Sequence, residues 1–211
     1  MTPIAMVTGG SSGIGLSVVA EMQSRGWEVM SLSRRDGFDI TDEDQVKAAF
    51  ARIDRLDALI NCAAQLIKRE VTEMTAQDWD AQLDVGLRGA FLCSREAFRL
   101  MAGRGGSIVM VASLSGVAGA EKFPGMAAYV AAKSGLVGLT EALAVEGRPL
   151  GIRVNAISPG AVDTPMLRIA GVEGPRFQPA EVARMICWLA SADSTPISGA
   201  NLRMDPTDHP V

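Results

Sequence analysis

The chain has 211 residues, 48% of them hydrophobic, enough to bury a substantial core and to predict a single domain over 1–211. A formal net charge of -4, with acids and bases interspersed, leaves no basic footprint for nucleic acid or an anionic lipid surface. Cys62, Cys93 and Cys187 are widely spaced in apolar surroundings, which suits reduced thiols and suggests neither a disulfide nor a metal framework; without a basic leader or a long uninterrupted apolar run, the expectation is a cytoplasmic protein with no membrane partner.

In chain order, short apolar runs at Ile4–Thr8, Glu28–Ser33, Ala58–Cys62, Ser107–Ala112 and Ile152–Ile157 predict strands, with a final short strand at Asn201–Met204. Segments of helical periodicity separate them: Ile14–Arg25, Asp42–Ala51, Ala76–Met101, Ala127–Gly147 and Pro179–Ala190, the last opened by its proline. The alternation predicts βαβ units and a Rossmann-like doubly wound α/β fold, a parallel sheet with helices on both faces. The Gly/Pro-rich stretch Pro159–Pro179 reads as a functional loop over one end of the sheet, and 206–211 as a flexible tail containing His209.

Thr8-Gly9-Gly10-Ser11-Ser12-Gly13-Ile14-Gly15 follows the first strand and leads into an apolar helix. Glycines here permit a tight turn and close backbone approach to a pyrophosphate, whose charge is met by amides at a helix N-terminus. The loop resembles the TGxxxGxG cofactor loop of the short-chain dehydrogenase/reductase family, with Thr8, Gly9, Gly13 and Gly15 on its fixed positions. The resemblance implies a nicotinamide dinucleotide held by Gly9, Ser11, Ser12, Gly13, Ile14 and Gly15, and a segment shortened after the second strand.

Counting from Gly15, the position where an acid selects NAD falls on Ser33, followed by Arg34 and Arg35. An acid there holds the ribose 2′-hydroxyl, whereas arginine accommodates the extra phosphate of NADP, so the expected cofactor is NADP, with NAD as the alternative. Asp36 stands close enough to offset the arginines or bind the ribose itself. Asp39 and Ile40 resemble the family's Asp-hydrophobic pair beside the adenine, although the intervening helix is almost entirely missing.

Tyr129 and Lys133 stand four residues apart, on one face of a predicted helix. An unperturbed phenol is a poor base at neutral pH, and an adjacent ammonium favours its ionised form; Tyr129 is also the only tyrosine. Upstream, Gly106–Ser113 resembles the family strand that ends in a substrate-orienting serine, which selects Ser113, with Ser115 as competitor. Downstream, Arg153–Pro165 resembles the family signature at the nicotinamide, implying contacts from Pro159, Gly160, Val162 and Thr164. The segment between Ser113 and Tyr129 is long for the family, so residues around Ala120–Gly125 are expected to bulge near the substrate.

Two departures from the family stand out. Its NNAG motif is here Asn61-Cys62-Ala63-Ala64, keeping Asn61 as a sheet brace on the cofactor side and Ala63 at the cofactor wall. Its NxxG in the central helix is Gly86-Leu87-Arg88-Gly89, which removes an asparagine from the proton relay; by helix propensity alone, Gly86→Asn is expected to stabilise slightly. The implied activity is hydride transfer between NADP(H) and a small-molecule ketone or secondary alcohol in a homotetramer or homodimer. The alternative from another class is a cofactor-binding regulator or scaffold with little turnover.

Overall fold

The computed structural model describes residues 1–206; His209 and nearly all of the expected tail lie outside them. Six strands form one parallel sheet: β1 (Ile4–Thr8), β2 (Glu28–Leu32), β3 (Ala58–Asn61), β4 (Gly106–Val111), β5 (Ile152–Pro159) and β6 (Asn201–Met204), in the order β2-β1-β3-β4-β5-β6. Each strand lies within two residues of its predicted bounds. The short segment after β2 adds no strand outside it, so β2 is an edge of the sheet.

Near-continuous apolar runs are explained by burial on both faces. Along β1, β3 and β4 alternate side chains enter two different cores. Met6, Leu59, Ile108 and Met110 meet α2 (Glu43–Phe50), α4 (Gly89–Met101) and α5 (Ala127–Gly147). Ala5, Val7, Ile60 and Val109 meet α1 (Gly13–Ser24) and α7 (Pro179–Ala190). α5 and the turn after it, Ala127–Leu150, are long and apolar enough by length and composition to cross a membrane. Burial of Leu136, Leu143 and Ala144 in the core shared with the sheet, and of Ala132 against the Gly86 turn, accounts for that composition.

The predicted helix Ala76–Met101 is helical throughout, with a π-helical turn at Asp84–Arg88 between α3 (Ala76–Leu83) and α4. Two other expectations are corrected. Gly86 lies inside that turn against α5: a Cβ there would stand 2.9 Å from the Ala132 Cβ. Close helix approach, which propensity cannot register, therefore reverses the expected benefit of Gly86→Asn. The stretch read as loop contains a short helix, α6 (Pro165–Ala170), started by a proline and stopped by Gly171 at φ +65°.

Candidate active site

The carboxyl ends of β1, β3, β4 and β5 open into two adjoining cavities, where ligands bind in open α/β sheets. The first, about 310 Å³, is a cleft walled by the glycine loop, the end of β2 and the residues after β3. The second, about 830 Å³, lies under α6 and the 120–126 loop. They meet at Ile14, Ala112, Tyr129, Thr164 and Met166, each of which lines both.

The glycine loop is fixed by contacts only glycine permits. Gly9 has φ +71°, and a Cβ there would lie 2.8 Å from the Ala63 Cα, while one at Gly15 would collide with the Gly9 carbonyl. The Thr8 hydroxyl accepts from the Cys62 and Ala63 amides, both at 3.1 Å, and so draws the segment after β3 against the loop. Ser12 stands at the N-cap of α1 without a side-chain capping bond. The first amides of α1 are thereby left for an anion, and with the loop they fit a dinucleotide pyrophosphate.

Gly9, Ser11, Ser12, Gly13, Ile14 and Gly15 all line the cleft, as do Ser33, Arg34, Asp39, Ile40 and Ala63. Arg35 lines it too, one guanidinium nitrogen donating to the Ser11 carbonyl at 3.3 Å. Asp39 spends its carboxylate locally, accepting from the Thr41 amide and hydroxyl at 2.9 Å each.

Asn61 is placed elsewhere. It is buried below the cleft with its Nδ2 donating to the Ser94 hydroxyl at 3.0 Å, so it braces β3 against α4 and does not line the cofactor wall. Pro159, Gly160 and Val162 line the second cavity, and of the residues assigned to the nicotinamide only Thr164 also reaches the first.

Tyr129 and Lys133 stack along α5, both buried, with Lys133 Nζ 5.7 Å from the phenol ring centroid. Lys133 donates to the Val111 carbonyl at 2.6 Å. Burial pulls the ammonium down to about 8, the nearby Cys62 opposing. Burial also raises the Tyr129 phenol above its usual value, and the Ser113 hydroxyl beside it pulls the other way. Ser113 caps the turn after β4, accepting from the Ser115 amide at 3.2 Å, and both serines line the second cavity.

Cys62, read from sequence as a core thiol, is a half-buried wall residue of the cleft, its thiol pushed up to about 11 by burial. Sequence reasoning also missed Phe38, Leu66 and Met126 as cavity walls, since loop side chains acquire a direction only on folding. The 120–126 loop does flank the second cavity, with Phe123 packed beside Tyr129.

A family profile described as enoyl-(acyl carrier protein) reductase matches residues 9–206. The chain is 36% identical over 188 residues to a 3beta-hydroxysteroid dehydrogenase of Mediterraneibacter gnavus, covering 77% of this chain and 67% of that one. It is 33% identical over 240 residues to acetoacetyl-CoA reductase of Allochromatium vinosum, covering 96% of each. The crystal structure of a short-chain type dehydrogenase/reductase from Mycobacterium marinum superposes with a TM-score of 0.89 at 27% identity, covering 96% of this chain and 94% of that one. The chain belongs to the short-chain dehydrogenase/reductase family. It is an oxidoreductase acting on CH–OH or C=O groups with a nicotinamide nucleotide.

Proposed function

We propose that the protein is an NADP(H)-dependent ketone or secondary-alcohol oxidoreductase with Tyr129 as general acid/base. The observation that carries this reading is the convergence of Tyr129, Ser113 and Lys133 at the junction between the cleft lined by the glycine loop and a larger, mainly apolar cavity. The glycine loop and the α1 amides would hold the pyrophosphate, Arg34 and Arg35 the 2′-phosphate, and Thr164 the nicotinamide end. When bound, the nicotinamide supplies or accepts the hydride. Ser113 donates a hydrogen bond to the substrate oxygen, where charge develops. Tyr129 gives its proton to that oxygen in reduction and takes it back in oxidation. Lys133, anchored on the Val111 carbonyl, carries the positive charge that favours the phenolate.

The three free thiols among the described residues support the cytoplasmic reading. Phe91 on α4 and Val145 on α5, large apolar side chains left exposed, support self-association as a homotetramer, with a dimer next, measurable by light scattering. The deciding experiment is an NADPH-consumption screen over neutral ketones, sugars, quinones and acyl thioesters. Turnover of at least one carbonyl compound is expected. Tight nucleotide binding with no turnover of any would return the reading to a nucleotide-binding regulator.

A further inference from the structure

Residues 163–176 leave the sheet and return through one narrow base. Val162 bridges Phe177, with the Phe177 amide donating to the Ala161 carbonyl and the Asp163 amide to the Phe177 carbonyl, both at 2.9 Å. Between these ends α6 and the turn after it place Met166, Ala170 and Val172 on Leu66, Met126 and Tyr129. Among the described residues, one hydrogen bond ties 164–176 to a residue outside 161–178: Lys68 Nζ donates to the Ala170 carbonyl at 2.8 Å.

Lys68 reaches out from a firmly held strap. The Ile67 amide donates to Oε1 of buried Gln82 at 2.9 Å, Nε2 of Gln82 donates to the Gln65 carbonyl at 2.7 Å, and the Arg69 amide donates to the Gly125 carbonyl at 2.9 Å. The strap is thus fastened to α3 and to the 120–126 loop, and neither fastening involves the lid. The Ala170 carbonyl, in the last turn of α6, has no further helical turn to bond it. A charged donor binds such an oxygen more strongly than a neutral one, while the exposure of Lys68 lets the bond break and reform in water. That combination suits a segment that must open and close at each turnover.

We propose that Lys68 is the latch of this lid, a positioning residue that holds α6 over the second cavity. Through α6 it keeps Thr164 and Met166, which line both cavities, in place around the reacting atoms. Its kinetic consequence rests on the dehydrogenase reading; its structural consequence does not.

The test compares wild type, Lys68→Met and Lys68→Arg by hydrogen exchange with and without NADPH, and by steady-state kinetics with a carbonyl compound turned over in the screen. In Lys68→Met, amides of 163–176 should exchange about three- to tenfold faster while the sheet is unchanged. KM should rise by a similar factor, with kcat unchanged or higher, and Lys68→Arg should restore both. Unaltered lid exchange and KM in Lys68→Met, acceleration spread over the whole chain, or an arginine variant as impaired as the methionine one would overturn the latch. If wild type turns over no carbonyl compound in the screen, the dehydrogenase reading fails, while the exchange comparison still decides the role of Lys68.

Discussion

The Ser33 hydroxyl donates a 2.6 Å hydrogen bond to the Asp36 carboxylate, which ties that acid back to the end of β2 and away from the cleft lining that Arg34 and Arg35 share. NADPH should therefore bind about tenfold or more tightly than NADH, the scale of one charge-assisted contact. Titration of both nucleotides against Arg34→Ala, Arg35→Ala and Asp36→Ala tests this. The arginine variants should lose NADPH affinity selectively; an NADH preference abolished in Asp36→Ala would assign selection to the carboxylate.

Tyr129→Phe should lower kcat by at least about 100-fold, the lower end of acid/base contributions. Circular dichroism and nucleotide affinity should stay near wild type, because the ring packs against Met126 and Leu66 without help from the hydroxyl. Turnover within a few-fold of wild type would remove Tyr129 from the chemistry.

Gly86→Asn and Gly86→Ala should both destabilise, by about 1–3 kcal/mol, because the added Cβ meets α5 at Ala132. Thermal unfolding of the two variants measures the effect. A raised Tm in either would show that the π-helical turn yields to a side chain at low cost.

Lys133 gives a pH signature with a definite sign. Its folded value of about 8 lies below its ordinary 10.5, so between these limits the unfolded chain binds more protons and folded stability rises with pH. Relative to Lys133→Met, the nucleotide-free wild type should gain on the order of 2 kcal/mol from pH 8 to 10.5. Paired denaturant titrations isolate this gain from buried Cys93 and Cys187, whose raised values act oppositely above pH 9 and are common to both proteins, with Cys62, whose thiol feels the Lys133 charge, replaced by alanine in both. A stability difference independent of pH would contradict a buried lysine whose value is lowered on folding.

The strands were readable because Met6, Leu59 and Ile108 on one face and Ala5, Ile60 and Val109 on the other leave no polar position for a competing period. Glycine and hydroxyl positions such as Gly9, Gly15 and Ser113 were readable because backbone geometry restricts what can stand there. Three features were not. The close approach of the π-helical turn to α5 at Gly86 and Ala132 is a contact between residues far apart in the chain. Asn61 carries a motif position but turns its amide to Ser94, a choice made by packing. Leu66 and Met126, walls of the second cavity outside the expected loop, have no period to reveal which way they face.

Because the chain between Val162 and Phe177 departs and rejoins at a single bridge, the roof of the second cavity is a cassette separate from the sheet. Residues can be added to or taken from 163–176 without moving the register of β5 or the start of α7. Lengthening such a loop is inexpensive, at about 0.6 kcal/mol per doubling. A new substrate range can thus be reached by exchanging 167–176 and adjusting Lys68 to its new contact, while Thr164, Met166, Tyr129, Lys133 and the glycine loop keep their places.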